Sequence, residues 1–509
     1  MRKVQVKAIT GIYEGFYNEN EVANFLGIRY VKPPKRWKVA EPLSPSDELI
    51  EALEYSPCCY QNWEKEEFDE KPPMSEDCLT LNIWVKDIEQ KKKPVMIWIH
   101  GGSYNTGSNR MDCCHGMYCG DRFVRSNPDI IYININYRIN AFGSMDLTLV
   151  DPSGEYKDSS NLQTHDQLAA IRWVYENIEA FGGDPENITI FGQSAGSYSV
   201  ATLLLIPETK KYVKNAICES SAVDETIKTP KQAQMIGRQF LQITGAETLE
   251  DCLALSPDEV LAAAKKIMEN PIFPAWCAMR DGSFIPNEIY ETLENGSAKG
   301  ITVMNGSTSG EYDCMSDVST DEEIEDMARF AYTRTVTDDM IEEYIHHYPD
   351  RDRRTALKDL FNDSMRITHV KMSDCLVKGG STVYMYYISY MDETDRIRPQ
   401  HCYEIPFVTE RTDEQIYMSY KIPEPVQGRT PTEEQQRRIQ GCWAQFARTG
   451  NPNGAHLPVI WEAYTPEYRD TMVIDHPWHM EHGVRNEDVD LFMEAATTVD
   501  PSQDDIYKG

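Results

Sequence analysis

Ser194 stands in Gly192-Gln193-Ser194-Ala195-Gly196. A serine between two glycines spaced in this way can act as a nucleophile if the chain turns sharply there from a strand into a helix. The sequence provides both flanks. Ile188–Phe191 (ITIF) precedes the motif and the apolar run Ala195–Leu205 follows it. In so tight a turn, side chains at 192 and 196 would collide with neighbouring backbone, which calls for glycine at both. The serine would stand at a helix N-terminus, where the dipole favours developing negative charge. A serine hydroxyl is a weak nucleophile at neutral pH. It needs a base to take its proton and donors to receive the oxyanion. His100-Gly101-Gly102-Ser103, at the end of the apolar run Pro94–Ile99 (PVMIWI), fits a loop whose N–H groups complete an oxyanion hole together with the residue after the nucleophile. The expected donors are Gly102, Ser103 and Ala195.

These residues need a scaffold, and the hydrophobic pattern describes one. Pro94–Ile99, Ile130–Tyr137, Ile188–Phe191 and Asn215–Cys218 are short apolar runs of the kind buried on both faces of a sheet. Between them lie helical stretches: residues 163–180, with Leu168, Ile171, Val174 and Ile178 on one face, and 195–205. Later segments read as strands at 301–306, 382–390 and 471–475, the last of the sheet, and as a helix at 433–449. This alternation predicts an α/β fold with a large, mostly parallel sheet and helices on both faces. With the serine turn at a strand end, the expected architecture is the α/β-hydrolase fold. Helical insertions, approximately 225–298 and 318–378, are expected over the active site. No linker divides the chain, so residues 1–509 read as a single catalytic domain.

The totals narrow the function. Fifty Lys and Arg against 82 Asp and Glu give a net charge of −32. Such a surface repels phosphate backbones and anionic lipid, so neither nucleic acid nor membrane is an expected partner. The 13 cysteines in 509 residues are far from a disulfide scaffold. No apolar run approaches the ~18 residues of a membrane span, and no signal peptide is visible at the start. A cytoplasmic location is expected. Cys113-Cys114-His115 and Cys119 fit no usual zinc spacing, so no metal is expected, and the loop is placed near the mouth of the pocket.

Several longer motifs, in order, identify a resemblance. Ser75-Glu-Asp-Cys-Leu-Thr-Leu-Asn82, Asn136-Tyr-Arg138, Phe181-Gly-Gly-Asp-Pro-Glu-Asn187, Phe191–Gly196 and Phe446-Ala-Arg-Thr-Gly-Asn-Pro-Asn453 followed by Trp461 are similar to the type-B carboxylesterases. That family includes cholinesterases and bacterial para-nitrobenzyl esterases, and the chain is closest in character to the latter. The resemblance implies a serine esterase with a Ser194–His401–Glu311 triad. His401 lies in His-Cys-Tyr-Glu-Ile-Pro-Phe407 and Glu311 in Asn305-Gly-Ser-Thr-Ser-Gly-Glu311; Asp313 is the second choice of acid. It also implies the ion pairs Arg36–Glu76 and Arg138–Asp166. It points to Cys59 and Cys78 as the positions bridged in secreted members; free thiols are expected here. No cofactor is implied, and a small-molecule ester is the expected ligand of a monomer or homodimer. Gln193 and Tyr104 are the expected substrate contacts. Gln193 replaces the family's usual glutamate, which argues against cationic choline esters. Ser103 replaces a glycine, and Ser220-Ser221 stands where Ser-Gly is usual. Thioester or amide cleavage, acyl transfer, or a non-catalytic binding role are the alternatives.

Overall fold

The computed structural model describes residues 2–63, 70–223, 227–269, 275–316, 319–332, 335–389, 398–410, 433–493 and 495. Among them thirteen strands form one sheet. In chain order they are β1 (Arg2–Ala8), β2 (Gly11–Tyr17), β3 (Val22–Arg29), β4 (Leu49–Glu51), β5 (Thr80–Lys86), β6 (Lys93–Ile99) and β7 (Ile131–Ile135). There follow β8 (Gly183–Gln193), β9 (Asn215–Glu219), β10 (Thr302–Thr308), β11 (Thr382–Ile388), β12 (Asp470–Ile474) and β13 (His479–His482). The spatial order is β1-β2-β3-β5-β7-β6-β8-β9-β10-β11-β12-β13, with β4 beside β2. From β7 to β12 every neighbouring pair is parallel. The flanks, β1-β2-β3-β5-β7 and the β12–β13 pair, are antiparallel, while β4 pairs parallel with β2.

The apolar runs are buried on both faces, as their lack of alternation predicts. In β6, Val95, Ile97 and Ile99 enter one core while Met96 and Trp98 enter the other. Strand β7 divides in the same way, with Ile131, Ile133 and Ile135 opposite Tyr132. Five helices matter to the argument: α1 (Leu162–Asn177), α2 (Ala195–Leu205), α3 (Pro230–Thr244), α4 (Arg353–Lys378) and α5 (Glu433–Thr449). Helices α1 and α2 cover the first face through Leu168, Ile171, Val200 and Leu203. Helix α5 covers the second through Cys442, Trp443 and Phe446. The α/β-hydrolase arrangement read from the rhythm of the chain is the one observed.

Some details differ. Thr471–Asp475 does not hold the last strand, because β13 pairs with β12 beyond it. The stretch 318–378 is not one helical run. Helices Asp321–Ala331 and Asp338–His347 precede α4, and the latter two begin at side-chain caps on Thr337 and Asp352. In the 225–298 stretch, α3 starts in a capping box at Thr229 and stops at left-handed Gly245, whereas residues 275–288 are irregular. Cys113 and Cys114 lie inside the second core. Cys59 and Cys78 are free thiols, both buried. Among the described residues no helix is long and apolar enough to cross a membrane.

Both implied ion pairs are formed. Arg36 Nε lies 2.9 Å from Glu76 Oε2. Arg138 meets Asp166 through Nε and Nη2, each at 2.7 Å, and its backbone N–H donates to the same carboxylate at 3.1 Å. The second pair is almost wholly buried, 4% and 0% exposed. Replacing Asp166 with alanine would leave a buried guanidinium without its counter-charge. Unfolding free energy is expected to fall by about 3–5 kcal/mol, measured by urea denaturation. A loss below about 1 kcal/mol would show that water reaches and compensates Arg138.

Candidate active site

Strand β8 ends at Gln193 and α2 begins at Ala195, so one residue makes the whole turn. Ser194 adopts φ 58° and ψ −127°, a conformation costly for a residue with a Cβ. The surroundings leave no other course. A Cβ on Gly196 would sit 2.0 Å from the Ile99 carbonyl oxygen, and one on Gly192 2.6 Å from that same atom. The turn is held from beneath by the Ser194 N–H, which donates to the Glu219 carbonyl at 3.0 Å. Ser194 is thus lifted clear of the sheet edge and remains partly exposed.

The loop after β6 lies against this turn. A Cβ on Gly101 would meet the Gln193 carbonyl oxygen at 2.7 Å and Ser194 Cβ at 3.2 Å. The loop folds back because the N–H groups of Asn105 and Thr106 both donate to the Gly102 carbonyl. Gly102 has φ 100°, and Ser103 takes φ 53° where a glycine would be unstrained. Among the described residues, none accepts from the N–H groups of Gly102, Ser103 or Ala195.

His401 arrives from the far side of the sheet, in the segment after β11. Its Nδ1 lies 2.6 Å from Glu311 Oε2. Glu311 follows β10 and is 1% exposed. Its other oxygen accepts the Thr308 N–H at 2.6 Å. Burial pushes the Glu311 carboxyl up, but the His401 hydrogen bond and charge, with the donors from Thr308 and Ser220, hold it below its ordinary value. Burial pushes His401 down; the hydrogen bond and charge of Glu311, with the charge of Glu404, outweigh it and raise the imidazole above 6.5. Asp313, the second choice of acid, is spent elsewhere. Arg398 grips it at 2.7 and 2.9 Å, and Asn362 donates to it at 2.9 Å.

Comparison with known proteins decides the family. The carboxylesterase family model matches residues 2–492. The chain belongs to the carboxylesterase family. It is 31% identical to a para-nitrobenzyl esterase of Bacillus subtilis (strain 168) over 92% of this chain and 94% of that one. It is 28% identical to an acetylcholinesterase of Bungarus fasciatus over 88% and 79%. A crystal structure of a Geobacillus stearothermophilus carboxylesterase superposes with a TM-score of 0.82 at 30% identity, covering 96% of this chain and 99% of that one.

In this carboxylesterase the remaining predicted contacts separate. The Gln193 side chain is at the imidazole, with Nε2 3.1 Å from His401 Nε2 and 3.3 Å from Nδ1. Among the described residues, no hydrogen bond joins Ser194 Oγ to His401. Tyr104 is 6% exposed and its hydroxyl is committed to Ser199 Oγ on α2 at 2.9 Å, so it secures the loop against the helix. Ser220 has φ 54°, and its hydroxyl oxygen also lies 3.2 Å from Glu404 Oε1. The hydroxyl of Ser197 donates to the Ser221 carbonyl. The serine pair thereby ties the β9 end to both the elbow helix and the histidine segment.

Two further acids lie buried close to His401. Glu404 and Glu219 are both fully buried. Glu404 accepts from Tyr386 at 3.1 Å and Glu219 from the Trp443 indole at 2.6 Å. The other oxygen of each has no hydrogen-bond partner among the described residues. Burial and then the Glu311 charge push Glu404 up to about 7. Burial and then Glu404 push Glu219 well above its ordinary value. Two unpaired carboxylates cannot both ionise so close together in an apolar setting, so at least one holds a proton at neutral pH. The charge felt by His401 is therefore chiefly that of Glu311. Glu311→Gln keeps the ring's partner but removes that charge. The His401 titration midpoint, followed by NMR of the imidazole protons, is expected to fall below that of the parent protein. An unchanged midpoint would mean that Glu311 does not set the imidazole's basicity.

Proposed function

We propose that the protein hydrolyses small neutral carboxylic esters through an acyl-enzyme on Ser194. His401 is the base, Glu311 its orienting acid, and the N–H groups of Gly102, Ser103 and Ala195 form the oxyanion hole. The observation that carries this reading is the 2.6 Å contact of His401 Nδ1 with buried Glu311. Since a carboxylate only accepts, Nδ1 carries the proton and the lone pair is left on Nε2. The three unclaimed N–H groups beside that turn support the oxyanion assignment.

The chemistry follows in balanced steps. Ser194 Oγ bonds to the carbonyl carbon as its proton passes to His401 Nε2, and the carbonyl oxygen becomes an anion held by the three N–H groups. The imidazolium returns the proton to the departing alkoxide, leaving an ester on Ser194. Water then repeats the sequence and releases the acid. Glu311 keeps the ring in the right tautomer and stabilises its transient charge. No cofactor enters, and the single sheet carries every participant. Gln193 puts a neutral amide where a carboxylate would attract a cation, which supports neutral leaving alcohols over choline.

Ser194→Ala is expected to lower p-nitrophenyl acetate hydrolysis by about 10⁴-fold or more while the circular dichroism spectrum stays that of the parent. In the parent, activity is expected to fall as pH drops through a midpoint above 6.5, because the imidazole that must accept a proton is raised there. Undiminished hydrolysis by the alanine variant would overturn the assignment. Faster turnover of acetylthiocholine than of a neutral thioester of equal size would overturn the preference for neutral alcohols.

A further inference from the structure

Glu311 and His401 touch, yet each sits on a loop and 90 residues separate them. The ties between the two loops lie on either side of that contact. On one side the Gly310 N–H donates to the Pro399 carbonyl at 2.9 Å. The approach there is so close that a Cβ on Gly310 would sit 2.9 Å from that carbonyl oxygen and 3.0 Å from Arg398 Cβ. On the other side Arg398 reaches Asp313, two residues after the acid. Its Nε and Nη2 meet Asp313 Oδ2 and Oδ1 at 2.9 and 2.7 Å, the two-armed geometry of a guanidinium on a carboxylate. Its Nη1 donates to Asp359 on α4. One turn along α4, Asn362 accepts the Tyr312 N–H at 2.7 Å and donates to Asp313 at 2.9 Å. Three segments, the acid loop, the histidine segment and α4, thus converge on one guanidinium.

Charge balance does not call for Arg398. Lys358 Nζ stands 4.0 Å from Asp313 Oδ1, and Arg351 pairs with Asp359. The two acids therefore have two other cations. What Arg398 adds is a connection between both acids and the segment that carries the base.

We propose that Arg398 is a positioning residue: its fork on Asp313 and its third bond to Asp359 lock the histidine segment against the acid loop and so hold His401 Nδ1 at Glu311. The proposal rests on His401 being the base and Glu311 its orienting acid. Past His401 the segment is anchored by Ile405, Phe407 and Val408, all buried in the second core. An anchor on that side alone lets the ring pivot about it; a second anchor three residues before the histidine removes that freedom. A guanidinium suits the task because it is planar and offers donors in fixed directions to two carboxylates at once. A lysine in its place brings the charge without the fork.

The test compares kcat and KM for p-nitrophenyl acetate, and the proton NMR resonance of the His401 Nδ1–H held by Glu311, in Arg398→Gln, Arg398→Lys and Arg351→Gln. In Arg398→Gln kcat is expected to fall roughly tenfold or more, with KM within about twofold of the parent, because misplacing the base weakens the transition state and not substrate binding. The Nδ1–H resonance is expected to broaden or move upfield as its bond to Glu311 loosens. Arg398→Lys keeps the charge and is expected to stay about threefold or more below the parent kcat. Arg351→Gln takes a cation from the same Asp359 but leaves the histidine segment untouched, so it is expected to keep the parent kcat and resonance. If Arg398→Gln does not fold, Arg398→Lys carries the test alone. A lysine variant that equals the parent overturns the proposal, since charge would then be all that matters. So does an Arg351→Gln loss as large as that of Arg398→Gln, or a fall in kcat with the Nδ1–H resonance unmoved. His401→Ala separates the two readings. If it keeps full activity, the assignment of the base fails and the proposal with it; if it is inactive while Arg398→Gln matches the parent, the clamp alone fails.

Discussion

The carbonyl oxygen of Ile99 lies 2.0 Å from where a side chain at residue 196 would begin, and 2.6 Å from where one at 192 would. This approach between the ends of β6 and β8 admits only glycine at both positions, and it forces the intervening serine to φ 58°. From it the rest of the site follows. The β6 end that crowds the turn also delivers Gly101 to Ser194. The β9 end beneath receives the Ser194 N–H at Glu219, and Ser220, next in the chain, reaches across to the histidine segment through Glu404. Five parallel strands thus meet in one small volume at their C-terminal ends, where an open α/β sheet gathers its ligands.

The electrostatics of that volume are unbalanced by design of the fold. Three carboxylates, Glu219, Glu311 and Glu404, are buried near one imidazole. A base needs a pKa close to its working pH, yet three ionised acids would hold the ring protonated. The structure offers two moderating devices. The inner pair, raised by burial, keeps a proton and so removes charge. The Gln193 amide puts a neutral group against the ring where a family member with glutamate would put another charge. In the proposed mechanism, the amide beside Ser194 therefore bears on His401 as much as on the substrate.

How much of this was legible in the sequence depended on range. The elbow was legible because its requirement is local: two glycines, one serine, a strand before and a helix after. The parallel strands were legible because burial on both faces erases alternation, as in β6 and β7. Strand β13 was not; His479–His482 is mostly polar and half-exposed, held by pairing with β12 and by Met480 against the second core. The breaks before residues 338 and 353 were in principle legible, since Thr337 and Asp352 are ordinary N-cap residues. Glu311 and His401, 90 residues apart, came only through family resemblance, because no local pattern marks residues that meet across a sheet. Glu219 gave no signal, and Glu404 stood in the histidine motif with nothing to mark its burial: burial without a counter-ion is a tertiary property. The contact of the Tyr104 hydroxyl with Ser199 is a tertiary property of the same kind.

The central claim is that the strained turn makes Ser194, alone among the chain's hydroxyls, a nucleophile. Its most direct test is to treat the folded protein with a fluorophosphonate and locate the adduct by intact-mass and peptide mass spectrometry. The account predicts one adduct per chain, on the peptide carrying Ser194, formed at least tenfold more slowly when His401 is replaced by alanine. Stoichiometric labelling of another residue, or an equal rate of labelling without His401, would contradict it.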